Sequence, residues 1–263
     1  MHARDAPPGL LALLVPALLI GLWWAATRNA PDGLIPQPAQ VVTELFDLAG
    51  LGPNQDDFSG QLWVDLLASG ERVYGGFLLA AALALPLGLV IGHLPLMRRL
   101  LDPPLQLLRP VPVTAWQPLF LILFGLGSHT ALLLVALGSF YPILLNTILG
   151  VRSVEPRLLE AAAMLGLSRA AIFPKVVLPS ALPGILTGLR LGLGFAWVVI
   201  VVGEISGVRT GLGAMITDAR EVSRTDVVIA GMIVIGLAGF VTDLAIRAIS
   251  RRLLRWNPTQ ATL

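Results

Sequence analysis

No cysteine occurs in the 263 residues. Disulfides, thiolate nucleophiles, iron-sulfur clusters and Cys-ligated zinc are excluded, and with them most redox roles. Lysine is almost as scarce. Lys175 is the only one, and because it follows Phe173 and Pro174 and precedes Val176, no G-x-x-x-x-G-K-[ST] phosphate loop exists in the chain. ATP hydrolysis through such a loop would have to belong to another protein. His2, His93 and His129 lie far apart outside any H-E-x-x-H, and no serine sits in G-x-S-x-G. Neither a catalytic residue nor a metal site is expected. Charge is scarce as well: 13% of residues are charged and 56% hydrophobic, where a soluble domain is about 25% charged. The 18 Lys+Arg against 16 Asp+Glu leave a net charge of +2, too little for a nucleic-acid stripe.

What the chain has instead is long uncharged runs. A crossing of the bilayer takes about 20 apolar residues, and an unpaired charge at mid-membrane costs at least ~2.5 kcal/mol, so charges mark span ends. Leu10 to Thr27 and Val73 to Met97 each supply one span. Pro110 to Val151, interrupted by Gly125, Gly127, Ser128 and His129, reads as a hairpin of two. Val176 to Gly203 contains only Arg190, and Val227 to Ile246 only Asp243, giving the fifth and sixth. The first run is longer than a typical signal-peptide core, and Trp23 and Trp24 fit an interfacial belt better than a cleavage site. With both termini inside, thirteen basic residues fall on the inner face and five, Arg28, Arg72, Arg209, Arg220 and Arg224, on the outer, as the positive-inside rule requires. The reading is an all-α membrane protein with six transmembrane helices. Residues 1–61 form the first helix and an outer loop, 62–256 the core, and 257–263 an inner tail. An amphipathic helix from Leu62 to Phe77 is expected to run along the outer surface into the second span.

The inner loop of residues 152–182 is long for a connection. Ser153 to Leu165 reads as a helix, with Ser153 as N-cap and Leu158, Ala162 and Leu165 along one face. Gly166 ends it as a left-handed C-cap, and Ser168 caps a second short helix through Phe173. By these signals alone the loop is either a helix-turn-helix or an amphipathic segment resting on headgroups. The residue order goes further: Glu160-Ala161-Ala162, three residues, Gly166, nine residues, Val176, one residue, Leu178-Pro179.

That order resembles the E-A-A-x3-G-x9-[I/V]-x-L-P signature of permease subunits of bacterial ATP-binding-cassette importers. The resemblance spans roughly Leu62 to Trp256. Runs such as Leu85-Pro86-Leu87-Gly88, Leu186-Thr187-Gly188-Leu189-Arg190 and Arg224-Thr225-Asp226 are similar to the branch serving nitrate, aliphatic sulfonates and taurine. The resemblance implies a type I importer permease fold in the bacterial inner membrane. Its loop forms a cytoplasmic coupling helix-turn-helix, in which Glu160, Ala161, Ala162, Leu165, Gly166, Ser168 and Arg169 meet a separate ATPase. It implies as partners a dimer of cassette subunits holding ATP and magnesium, a periplasmic solute-binding protein and a second permease copy, with no cofactor on this chain. Pro174 departs from the helix-compatible residues common in such loops.

Inside the spans, Gly184, Gly188 and Gly192 recur every four residues, so another helix approaches closely, either at a dimer axis or within the subunit. Arg190 either snorkels to the cytoplasm or meets an anion in the pathway. Asn146, Trp197 and Glu204 are further pathway candidates, each equally suited to packing. A self-sufficient secondary transporter or channel is the rival reading, but it needs an intramembrane carboxylate or histidine relay that these spans do not offer.

Overall fold

The computed structural model describes residues 8–29, 33–53, 56–205 and 207–255, with the side chains of 8–13 and 169 outside that description. Arg4 and the tail 257–263 lie outside it too. All elements among the described residues are helical: α1 (Pro8–Thr27), α2 (Pro38–Leu48), α3 (Leu62–His93), α4 (Pro95–Leu108), α5 (Val113–Phe124), α6 (Ser128–Arg152), α7 (Pro156–Met164), α8 (Arg169–Ile172), α9 (Leu178–Glu204), α10 (Leu212–Glu221) and α11 (Thr225–Leu253). The chain divides into two compact units, Met1–Asp65 with Met215–Val234, and Leu66–Ala214 with Ile235–Leu263.

Among the described residues, four helices are long and apolar enough to cross a membrane: α3, α6, α11 and a continuous helix Ala170–Glu204 that contains α9. The expected surface helix before the second span is not separate, because α3 runs unbroken for 32 residues from Leu62. The hairpin expected over Pro110 to Val151 does turn at Gly125 (φ 78°) and Gly127 (φ 131°). Its first arm, however, is only the 12 residues of α5. This arm meets α4 at a 94° bend. Pro110 and Pro112 lie in that bend, where each removes a backbone donor that a straight helix would need. Only if α4 and α5 count together as one broken span does the number of crossings reach five. The apolar stretch of α1 whose side chains are described, Leu14–Thr27, is shorter than a crossing.

In the larger unit α6 is the central helix, with Leu134, Val135, Ile143 and Leu144 fully buried. Its two flanks are set by glycines. A Cβ at Gly184 would stand 2.8 Å from Gly150 Cα, one at Gly188 2.8 Å from Asn146 Cβ, and one at Gly192 2.7 Å from Ile143 Cγ1, so α9 lies against α6 nearly backbone to backbone. On the other side a Cβ at Gly76 would stand 2.6 Å from Leu132 O, and one at Gly88 2.7 Å from Thr147 Cβ, which seats α3. The every-fourth-residue stripe on α9 therefore packs within the chain. With no hydrophobic driving force between helices in lipid, such close approach is what holds a bundle together.

The smaller unit contains α1, α2 and the residues after them. Trp23 Nε1 donates to Pro36 O at 3.0 Å, pinning the segment that follows α1. α2 is amphipathic and buries Val41, Glu44, Asp47 and Leu48.

Candidate functional site

The segment singled out by its residue order is built by local backbone chemistry. Glu155 stands at the N-cap position of α7 without a side-chain capping bond, and Pro156 is in its first turn. Ser153 is not its N-cap. It is the C-cap residue of α6, where its hydroxyl donates to Gly150 O at 2.9 Å. At the other end Gly166 takes φ +80°. Gly166 N donates to Ala163 O at 3.0 Å and Leu167 N to Ala162 O at 3.1 Å, the paired bonds of a Schellman cap. Ser168 then caps α8 by accepting from Ala171 N at 3.3 Å. The side chain of Arg169 lies outside the described residues.

The second helix does not stop at Phe173. α8 passes through a π-helical turn, Phe173–Val177, directly into α9. Pro174 has no N–H to give, and the turn widens so that Leu178 N reaches Phe173 O. Phe173 in turn packs edge-on against His93 at the end of α3, with ring centroids 4.8 Å apart. α8 is thereby joined to two long helices, to α9 through the backbone and to α3 through the ring contact.

The face of α7 differs from the expected one. Ala162 is turned inward and Leu159 packs toward Val151, Val177, Ala181 and Ile185, whereas Leu158 and Leu165 point out. Of the expected alanine pair, Ala161 is the one with an outward methyl, next to exposed Glu160. Around Gly166 the chain shows water an apolar tip, Met164 at 87% and Leu165 at 79% exposure. Among the described residues nothing lies within 4 Å of a Cβ built on Gly166.

The four pathway candidates are not brought together. Asn146 donates to Pro142 O of its own helix at 2.8 Å. Trp197 is buried and donates from Nε1 to Thr242 Oγ1 at 3.2 Å, while Thr242 also bonds Tyr74 at 3.1 Å and Ala238 O at 2.7 Å. These bonds join α3, α9 and α11. Arg190 is neither free nor snorkelling alone: its Nε donates to Asp243 Oδ1 at 2.5 Å, and Arg247 Nε donates to Asp243 Oδ2 at 2.7 Å. Two guanidiniums on one carboxylate leave a single positive charge in excess.

The Glu204 side chain is fully buried. Oε1 accepts from Arg72 at 2.6 Å and Ser69 at 2.8 Å, and Oε2 accepts from Gly213 N at 2.8 Å. Arg72 is itself buried and also donates to Thr210 O at 2.7 Å and Ser128 Oγ at 3.2 Å. Desolvating each ion is expensive unless the other is present, so the pair fixes the turn that follows α9.

Sequence reasoning missed the partners Asp243, Arg247, Arg72, Ser69 and Thr242. A signal was available for the first: Arg190 and Asp243 are single charges of opposite sign in otherwise uncharged spans, and low dielectric favours their meeting.

The chain resembles known proteins along most of its length. The description of the family "Binding-protein-dependent transport system inner membrane component" matches residues 84–255. The chain is 40% identical over 243 residues to the taurine transport system permease protein TauC of Escherichia coli (strain K12), covering 92% of this chain and 87% of that protein. It is 39% identical over 247 residues to the putative aliphatic sulfonates transport permease protein SsuC of Bacillus subtilis (strain 168), covering 93% and 87%. Its fold is similar to that of a chain in an inward-facing structure of the MetNI methionine ABC transporter, with TM-score 0.66 and 16% identity over 76% of this chain and 99% of that one.

Proposed function

This chain belongs to the binding-protein-dependent transport system inner membrane component family, and from that premise we propose that it is the transmembrane subunit of an ATP-driven importer for a small sulfonate-like anion. A separate ATPase hydrolyses the nucleotide, a periplasmic binding protein delivers the solute, and a second copy of the chain completes the pathway. The chain crosses the membrane six times with both termini inside, α1 and the α4–α5 pair being the first and third crossings.

The observation that carries the reading is the tip around Gly166. An exposed apolar surface of this kind, on a turn locked by a Schellman cap and continuous through α8 with a long apolar helix, is suited to a groove on another protein. Glu160, Ala161, Leu165, Gly166, Ser168 and Arg169 form the coupling surface, with Ala162 holding α7 down from inside. The sulfonate assignment draws on the relatives. The excess positive charge of Arg190 and Arg247 over Asp243, in helices with few other charges, supports an anion near the inner end of the pathway.

Gly166→Val tests the reading. A β-branched residue at φ +80° costs about 1–2 kcal/mol in the cap, while the open space around it means no clash inside the chain. Insertion in the membrane and pairing of two copies should stay near wild type. Co-purification of the ATPase and uptake of taurine or an alkanesulfonate into vesicles should fall at least tenfold, as they should for Glu160→Arg. Wild-type uptake by both variants would remove the coupling assignment.

A further inference from the structure

The smaller unit contains a charge cluster that plays no part in the reading above. Arg224 directly precedes α11 and donates to three carboxylates: Nε to Asp226 at 3.0 Å, one terminal nitrogen to Asp56 at 2.5 Å and the other to Glu44 Oε2 at 2.8 Å. Its guanidinium lies over the Phe58 ring, 5.9 Å from the centroid. Asp56 has a second duty, because its Oδ1 accepts from the backbone N–H of Phe58 and of Ser59 and so closes the turn that presents it. Arg224 is itself held by a Schellman cap on α10, in which Arg224 N donates to Ala219 O at 2.8 Å and Ser223 N to Arg220 O at 3.1 Å. The left-handed place in that cap is taken by Ser223 at φ 59°, the one non-glycine residue with positive φ among those described. Together these bonds clamp α2 and the turn at residues 56–59 onto the start of α11.

The clamp is short of positive charge. Three carboxylates share one guanidinium, and they are not equally placed: the Glu44 side chain is 3% exposed, against 29% for Asp56 and 27% for Asp226. Glu44 Oε1 is buried with no hydrogen-bond partner among the described residues. A buried carboxylate oxygen without a donor is costly, and a proton on the group removes that cost without losing the bond to Arg224.

We propose that Glu44 is a proton-binding site, and that the proton it takes up tightens the clamp that holds α2 and the 56–59 turn against Arg224. The charged groups facing it are Arg224 and Asp226 at the start of α11, Asp56 in the turn and Asp47 one turn along α2. Burial is the largest influence and lifts its carboxyl from the ordinary 4.5 to about 7, Arg224 opposing the rise and Asp226, Asp56 and Asp47 adding to it. Because the docked value is the higher one, the docked arrangement takes up a proton. Its advantage is complete below the ordinary carboxyl range and is lost as pH rises through about 7. The docking constant accordingly falls on the order of a hundredfold across that window.

The test uses the full chain in membranes, exploiting its freedom from cysteine. Val41→Cys places a thiol on the buried face of α2 and Thr43→Cys one on its exposed face. The ratio of their maleimide labelling rates removes the intrinsic pH dependence of the thiol. That ratio should rise ten- to a hundredfold between pH 5 and 8, and should stay flat when Glu44→Gln supplies a permanently neutral side chain. Asp226→Asn, which takes away a carboxylate that raises Glu44, should move the midpoint toward acid. A flat ratio in the parent chain, the same rise with Glu44→Gln, or an unmoved midpoint with Asp226→Asn would each overturn the proposal. No outcome depends on transport, so failure here is distinct from failure of the coupling reading.

Discussion

Replacing Arg72 by methionine probes the ion pair that the fold places deepest. The Arg72 side chain is 8% exposed and that of Glu204 0%, and they meet at 2.6 Å. Methionine keeps much of the arginine volume but no charge. It leaves the Glu204 carboxylate with hydrogen bonds from Gly213 N and Ser69 Oγ but no counter-charge. Breaking a buried pair from one side costs about 3–5 kcal/mol, because an uncompensated charge stays behind. Glu204→Met should cost about the same for the mirror reason, since Arg72 keeps Thr210 O and Ser128 Oγ but no counter-charge. Independent effects would sum to about 6–10 kcal/mol. Removing both leaves no orphaned ion, so the double variant should lose roughly what one single variant loses, or less. The coupling energy should then be at least about 2 kcal/mol. The assay is denaturant unfolding of the purified chain in detergent, followed by the fluorescence of its 6 tryptophans. Additive losses would refute the argument, as would an Arg72→Met chain within 1 kcal/mol of wild type. A structural pair also predicts that the folded fraction of the double variant keeps its preference among solutes, which uptake competition between taurine and nitrate would check.

Two other outcomes follow from the geometry. Gly184→Ala places a methyl 2.8 Å from Gly150 Cα and 3.1 Å from Asn146 O, backbone on both counts that cannot step aside, so it should destabilise by about 1–3 kcal/mol. Gly194→Ala, with open space around it, should be near neutral in the same unfolding assay, and equal losses would remove the packing argument. Asp243→Asn leaves Arg190 and Arg247 side by side without their shared carboxylate. Expression and melting temperature should drop, and Arg190→Gln in the same chain should restore part of both. No restoration would mean the trio is not held by charge.

How far the sequence could be read depends on the range of the forces involved. The cap at Gly166 was legible because it is a property of a few adjacent peptide units: only glycine takes φ +80° without a Cβ penalty, and Ser168 reaches the N–H three residues on. The same reasoning failed at the other end of α7. Ser153 has the chemistry of an N-cap, but α6 runs through Arg152 and leaves it as a C-cap, while Pro156 begins α7 three residues later. Pro174 departs from the residues common in such loops, yet it does not end the helix, which widens into the π turn Phe173–Val177 and continues.

Composition and the uncharged runs determined by themselves that this is a helical membrane protein, since excluding charge from a bilayer is a local demand, and the E-A-A order carried the resemblance to the importer permeases. Tertiary structure alone decided the rest. Gly184, Gly188 and Gly192 fit any close neighbour, and only the path of α6 shows that the neighbour lies in the same chain. Arg72 and Glu204 are 132 residues apart, and Glu44 and Arg224 180. Each side chain alone reads as a surface charge or a pathway group. What makes them buried, paired or proton-binding is the loss of water around them, and that is set by which other helices arrive to exclude it.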